Sequence, residues 1–291
     1  MNSDINMNVC IHVCIVRSDE TRPHHITLKR GDPPLPFSNL LCKNILFEKV
    51  LTAIMITMIG TGHVFNISEQ VSFIVKHTWP DAVLIELDER RYAALMSGAG
   101  DRKGSENSPK LYRESAEYQN RLSERRGIHP GNDLLAAVTA GRMVEAEIIC
   151  IDKDAEQTMK EVEEGMSFFE RIRYSLSPTA DRMLRRYRTN AANKDYIVDE
   201  ETYVENMRRR FPTLVKKLID ERNVHMAAKI AQAAEKYNNM VVVVGDAHVR
   251  GICGLLGGIE IETIRLAEIM DQESMNKVRS RIWNRKAEVS E

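Results

Sequence analysis

Two short apolar, β-branched runs end in the same way, although they lie far apart in the chain. Ile56-Thr57-Met58-Ile59 stops at Gly60 and reaches His63 and Val64; Val241-Val242-Val243-Val244 stops at Gly245 and reaches His248 and Val249. Each run reads as a strand covered on both faces. Gly60 and Gly245 permit a sharp exit, and Gly62 and Ala247 leave room beside an imidazole. In an open parallel sheet, ligands bind in the crevice outside the carboxyl ends of the strands. The repeated G-x-x-H-V therefore predicts two imidazoles on one edge of such a sheet.

The order of elements supports that sheet. From Met55 a β-α-β rhythm sets in, which predicts an α/β fold: a largely parallel central sheet of about four to six strands covered by helices. After His63, the pair Asn66 and Glu69 marks a helix start, and Val71, Ile74, Val75 and Thr78 form its apolar stripe up to Pro80. Residues 82–87 (AVLIEL) read as the second strand and Glu89 to Met96 as a helix capped by Asp88. The polar stretch 98–110 reads as a loop and 111–126 as a charged helix. A helix from Leu134 to about Glu145, capped by Asn132 or Asp133, leads to a third strand at 147–151. Residues 155–237 read as mainly helical, a subdomain between the third and fourth strands, with breaks near Ser177-Pro178 and Phe211-Pro212. Met240 to Val244 is the fourth strand and Ile259 to Ile264 a fifth. Three parts follow: an N-terminal arm (1–52) with a strand near Val9 to Val16, an α/β domain (53–266), and a polar helical tail (267–291).

Composition excludes some functions. A formal net charge of -1 over 291 residues gives no reason to expect nucleic acid or an anionic membrane as partner. No stretch approaches the ~20 apolar residues of a membrane span, and the first residues do not read as a secretory signal. Five cysteines in no metal or redox spacing fit a reducing compartment. Cys150 and Cys253 lie in apolar stretches and read as core residues. The expectation is a soluble, cytoplasmic protein, with a homo-oligomer left open.

Glu86 closes the second strand among apolar neighbours, where a carboxylate needs a partner, a metal or the open edge. It is placed either at the crevice or in a bridge to Arg90 or Arg91. His63, His248 and Glu86 together make a ligand set suited to a divalent ion such as zinc, manganese or cobalt, with a water in the open position. Arg222 fills a gap in the apolar row Leu214, Leu218, Met226, Ile230, so it faces inward and needs an anion. Glu86, Asp152, Asp246 or a developing oxyanion would serve. Asn223 beside it offers an amide. Asp246 is placed to orient a histidine, act as a base or cap a helix after Val249; Asp152 and Asp154 are weaker candidates of the same kind. The basic runs 171–173, 182–188 and 208–210 read as solvated faces. No phosphate-binding loop, nucleophile elbow or HExxH helix is present.

Four blocks in order, GTGHVFNISEQV, PDAVLIELDERRYAAL, LIDERNVHMAAKI and VVVVGDAH, resemble the TraB family, which includes the bacterial pheromone-shutdown proteins. The likeness runs from Met55 to about Ile264. It extends to the Tiki proteases, the GumN proteins and, more distantly, the erythromycin-esterase-like fold. The resemblance implies an α/β core with both G-x-x-H histidines and a strand-end glutamate in one pocket, and for the Tiki proteins a divalent-metal-dependent protease. Carried over by position, the histidines are His63 and His248, the glutamate Glu86, and the arginines and amide Arg91, Arg222 and Asn223, with Tyr92 lining the pocket; Asp246, inside the second G-x-x-H, is a further substrate-binding candidate from its own position. Bacterial shutdown proteins carry a C-terminal membrane region that this sequence does not show, so membrane location and pheromone handling are not carried over.

The resulting expectation is a metal-dependent peptidase with His63, His248, Glu86 and Arg222 as catalytic groups and a peptide or small molecule as substrate. Two alternatives stand beside it: a metal-free His/Glu hydrolase, and a non-catalytic protein that sequesters a peptide or small ligand.

Overall fold

The computed structural model describes residues 54–62, 65–98, 108–114, 116–117, 131–176 and 204–289, with the backbone alone at 13–15, 24–26, 175–176 and 285–289. At the N-terminus, β1 (Val13–Ile15) and β2 (His24–Ile26) form a separate antiparallel pair. The main sheet has five strands: β3 (Met55–Thr61), β4 (Ala82–Ile85), β5 (Glu147–Cys150), β6 (Asn239–Gly245) and β7 (Ile261–Ile264). Their order is β5-β4-β6-β3-β7 and every pairing is parallel. The α/β class and the strand count agree with the reading of the sequence. The loop predicted at 98–110 and the helix predicted at 111–126 lie largely outside the described residues, as do the break near Ser177 and the basic run 182–188.

Helices cover both faces. On one lie α1 (Ser68–Thr78) and α3 (Asn132–Met143); Val71, Ile74 and Val75 meet Leu134, Ala137 and Val138 over Ile59, Val83, Ile85 and Val243. On the other lie α7 (Glu221–Ala234) and α8 (Asp246–Leu255), where Met226, Ile230, Val249 and Ile252 cover Ile56, Met58, Leu84 and Val242. The middle strands β4 and β6 are buried throughout their apolar runs, which is why they read as continuous hydrophobic segments. The chain leaves β4 towards the first face and leaves β6 towards the second. Such a reversal between neighbouring strands opens a crevice at their carboxyl ends.

The helical stretch between β5 and β6 holds α4 (Ala155–Gly165), α5 (Phe168–Leu176), helical residues 204–210, and a long rod. Phe211 breaks the helix as predicted, and Pro212 opens the rod at a position where its missing N–H costs nothing. The rod comprises α6 (Pro212–Val215), a π-helical turn (Lys216–Asp220) and α7. The N–H of Glu221 reaches back to the carbonyl of Lys216, the wide i to i+5 bond that defines that turn.

Several boundaries differ from expectation for local reasons. Asp88 caps α2 (Glu89–Met96) as predicted, accepting from the N–H of Arg91 at 2.9 Å. Asn66 does not cap α1, which begins at Ser68 without a side-chain cap. Gly131, at φ 79, rather than Asn132 or Asp133, precedes α3. Beyond β7, the residues read as a polar tail are part of the core. Here α9 (Leu266–Met270) and α10 (Gln272–Val289) bury Leu266, Ile269, Met275, Val278 and Ile282 on the α1 face. Among the described residues no helix is long and apolar enough to cross a membrane.

Candidate active site

The crevice is built from strands that end level. Ile85 pairs with Cys150 on one side and with Val243 on the other, and Val243 pairs with Ile59. Glu86, Asp152, Gly245 and Thr61 therefore follow within two residues of one line across the sheet. Glu86 and Asp152 are 5% and 8% exposed. The N–H of Gly245 donates to Glu86 Oε2, tying the tip of β4 to the tip of β6.

From the second face, α7 presents Arg222 and Asn223. Arg222 does face inward, and its partners are Glu86 and Asp152 together. Its Nη2 donates to Glu86 Oε1 and, at 2.7 Å, to Asp152 Oδ2, while Nε donates to Asp152 Oδ1 at 2.9 Å. Nη1 donates to the Leu218 carbonyl in the π-helical turn at 3.2 Å and lies 3.2 Å from His248 Nε2. All five N–H groups of the guanidinium are engaged. Burial opposes its charge, but Glu86 and Asp152 outweigh that and hold its pKa above the ordinary arginine range.

Asp152 is the hub of the arrangement. Arg222 grips it from one side and Arg91 Nη2 from the other, and Arg91 Nε donates to Asp88 Oδ2 at 2.6 Å. Burial works against ionisation of Asp152, but Arg222, with Arg91 behind it, holds its carboxyl well below the usual range. Neither arginine predicted beside Glu86 reaches it. The helix that starts at Glu89 carries both away: Arg91 goes to Asp88 and Asp152, and Arg90 to Glu156. The side chain of Arg91 is 22% exposed, against 16% for Arg222. Its Nη1 has no partner among the described residues.

His248 stands on the first turn of α8, 4% exposed. Gly245, at φ -58 and ψ 139, turns strand directly into helix, so the second G-x-x-H is a strand-to-helix junction. The expected helix start after Val249 is thus reached at Asp246. Imidazole Nδ1 lies 2.7 Å from Asn223 Oδ1 and Nε2 lies 3.5 Å from Glu86 Oε1. An amide oxygen at Nδ1 and a guanidinium N–H at Nε2 fit one tautomer, with the proton on Nδ1 and the lone pair on Nε2. Asn223, read as a substrate amide, is therefore packed as the partner of His248. A Cβ on Gly251 would fall 2.1 Å from Asn223 Nδ2, so that helical glycine makes room for it.

His63 lies outside the described residues. The strand that leads to it, β3, neighbours β6, with Thr61 level with Gly245. The two motifs touch through other atoms. A Cβ on Gly60 would fall 2.1 Å from Asp246 Oδ1, so the glycine of the first motif accommodates the aspartate of the second. Asp246 Oδ1 accepts from Arg265 Nε at 2.8 Å and from the N–H of Leu266 at 3.0 Å, and Oδ2 accepts from Arg265 Nη2 at 2.8 Å. Asp246 thus locks β3, α8 and the start of α9 together two residues from His248. Arg265, its partner, had no signal in the sequence; Gly251, a glycine inside an apolar helix, had one.

The remaining candidates lie apart. Tyr92 packs on the α1 face and its hydroxyl accepts from Arg142 Nη2 at 2.9 Å. Asp154 caps α4 through the N–H of Gln157 at 2.6 Å. Arg171 and Arg173 donate to main-chain carbonyls, and Arg208 pairs with Asp220. Burial raises the thiol pKa of both Cys150, pushed up to about 12, and Cys253. A surface groove lined by Pro109, Asp154, Glu156, Gln157, Lys160, Glu163 and Glu164 contains none of the crevice residues.

Glu86 and His248 have the donor chemistry of a divalent-ion site, and the Tiki likeness implies one. As arranged, one guanidinium contacts both Glu86 Oε1 and His248 Nε2. An ion bridging those atoms would have to displace it, so the described residues do not fit a metal while Arg222 is seated.

Comparison with known proteins bears on the same stretch. The model of the TraB/PrgY/gumN family matches residues 51–263. An uncharacterized protein of Methanocaldococcus jannaschii is 26% identical over 237 residues, which cover 76% of this chain and 59% of the relative. The chain thus spans less than two thirds of the relative's length. No solved structure matches. The family match takes in every crevice residue from Glu86 to His248, and the chain belongs to the TraB/PrgY/gumN family.

Proposed function

We propose that the crevice hydrolyses a peptide bond, with Glu86 and His248 handling the proton. The observation that carries this is the 3.5 Å separation of His248 Nε2 and Glu86 Oε1 at the carboxyl edge of the sheet. A water placed against both atoms can lose a proton to Nε2 as its oxygen attacks the carbonyl carbon. The imidazolium that forms keeps its Nδ1–H on Asn223 and faces the Glu86 carboxylate. The same proton then passes to the leaving nitrogen as the C–N bond breaks. Arg91, with Nη1 uncommitted, is the donor left for the substrate's carboxylate or for the oxyanion. Arg222 Nη1 has to leave Nε2 for the imidazole to act, and its hold on Asp152 through Nε and Nη2 provides an anchor during that movement. The likeness to the Tiki proteases supports peptide chemistry.

A second reading is favoured by the burial of Glu86 and His248 and by the full engagement of Arg222: the crevice holds a peptide or small ligand without cleaving it. Incubation with a peptide library, followed by mass spectrometry, decides between them. Hydrolysis predicts new fragments that disappear in Glu86→Gln and His248→Ala, with both variants retaining native circular dichroism. Intact ligand retained by the native chain supports sequestration, and full cleavage by either variant removes the proposal.

A further inference from the structure

We infer that α5 docks the chain on an anionic lipid surface, with Phe168, Phe169 and Ile172 entering the interface and the arginines beside them meeting the headgroups. This goes beyond the hydrolytic reading and does not rest on it. At roughly 3.6 residues per turn, Glu170 and Tyr174 share one face of α5, and Phe168, Phe169 and Ile172 share the opposite one. The polar face is the one turned inward. Glu170 is buried, and its Oε1 accepts from the N–H of Thr213 at 3.0 Å at the start of the rod, while Tyr174 packs edge-on against Phe211. The apolar face is left to solvent: Phe168 and Phe169 are 71% and 73% exposed, and Ile172 is 40% exposed. Single exposed apolar side chains are ordinary, but three within five residues of one helix mark an interaction surface.

Charge selects the partner. Arg171 and Arg173 stand on the two borders of the apolar face. Arg171 Nε and Nη2 donate to the carbonyls of Met166 and Glu163, at 3.1 and 2.5 Å, and Arg173 Nη1 donates to the carbonyl of Arg210 at 2.7 Å. Those bonds fix the guanidiniums without neutralising them. Among the described residues no carboxylate pairs with Arg171, Arg173 or Arg210; Glu164, at the same corner, pairs with Lys160 at 4.0 Å, and Arg209 pairs with Glu205 at 3.5 Å. Two of the basic runs thus gather beside exposed aromatic rings, in a chain whose formal net charge is -1. Apolar residues flanked by arginines fit acyl chains beneath anionic headgroups, each arginine keeping its stem on the apolar side. A second copy of the chain does not fit. Pairing this face with itself brings like charges together, and three side chains fall far short of the ~800 Å² per partner of a stable interface. Single-stranded RNA fits less well, because the two rings meet edge to face, at 5.8 Å and 73°, and form no parallel stacking platform.

The test is co-sedimentation of the full chain with vesicles of phosphatidylcholine alone and of an equal mixture with phosphatidylglycerol, so peptide cleavage plays no part. The native chain is expected to bind the mixture and not phosphatidylcholine alone, and to bind less as salt is raised. Phe168→Ser combined with Phe169→Ser should weaken binding at least about tenfold. Arg173→Gln and Arg210→Gln should each weaken it about fivefold. All four side chains are exposed, so the variants should keep the native melting temperature. If the serine variant fails to fold, Phe168→Trp decides, because it keeps an aromatic ring at the site. Its emission should shift to the blue when the mixed vesicles are added, beyond any shift of the native chain. Four results overturn the inference: no binding of the native chain to the mixture, equal binding to both kinds of vesicle, full binding by the folded serine variant, or no added blue shift in Phe168→Trp. A native dimer, or retention of poly(U), that is lost in the serine variant would assign the face to a second copy or to RNA and overturn the lipid surface as its partner.

Discussion

Asp152 is buried between Arg91 and Arg222, and its electrostatics make a prediction about pH. Its carboxyl is held well below the usual range in the folded chain, whereas in an unfolded chain it titrates near ~4. A carboxyl depressed in this way adds stability above its unfolded pKa, and that stability is lost as pH falls through the folded value. Urea midpoints of the native protein should therefore fall between about pH 5 and pH 3. Asp152→Asn should cost about 3–5 kcal/mol at pH 7, because it leaves Arg222 and Arg91 short of an anion in the interior. The same variant should show a shallower decline on acidification. An unchanged acid slope in Asp152→Asn would mean that its titration is ordinary in both states. Residue identity made part of this legible. The gap at Arg222 in an otherwise apolar row pointed inward, and Glu86 among apolar neighbours needed a partner. Glu86 and Asp152 both stand among the partners the sequence offers Arg222; that it holds the two at once could not be read, because it depends on where β5 ends relative to β4.

At the level of elements, the paired G-x-x-H motifs were readable as strand ends, and the parallel sheet that joins them follows from the same alternation of strand and helix. Their equivalence was not. β6 passes straight into α8, so His248 rides on a helical turn, while the chain after β3 runs to Ser68 before its helix begins. The contact between motifs is also tertiary: Gly60 is small because Asp246 needs the space, and Asp246 stays there because Arg265 and Leu266 hold both its oxygens. Gly60→Ala would put a methyl 2.1 Å from Asp246 Oδ1 and 3.1 Å from Val249 Cγ2. The carboxylate cannot swing away without losing bonds to Arg265 and Leu266, so the cost should be about 1–3 kcal/mol. Gly254→Ala, in the same helix as His248 but with nothing within 4 Å of the new methyl, should be neutral or should gain up to about 1 kcal/mol. Urea denaturation of the two variants tests the idea, and equal effects would show that the packing between motifs does not matter.

On the scale of the whole molecule, the family match ends at 263, but the core does not. Leu266 and Ile269 of α9, then Met275, Val278 and Ile282 of α10, complete the apolar layer over α1. Their spacing along α10 is that of a buried helical stripe, a signal present in the sequence but masked by the many charged residues between them. Without α9 and α10 the face formed by Val71, Ile74 and Val75 would lose part of its cover, and the Asp246 lock would lose the N–H of Leu266. Two neighbouring positions separate a packed helix from an appended one. Ile282 is 3% exposed, and Ile282→Ala should cost about 2–5 kcal/mol. Trp283 is 62% exposed, with the ring of His77 tilted against it at 6.1 Å, so Trp283→Ala should cost less than about 1 kcal/mol despite removing the larger side chain. Should urea denaturation give the reverse order, α10 would be docking through its outer face, and the described packing of Met275, Val278 and Ile282 would be wrong. Should neither substitution matter, the α/β core would stand without this helix, and the boundary of the folded unit would return to the end of β7.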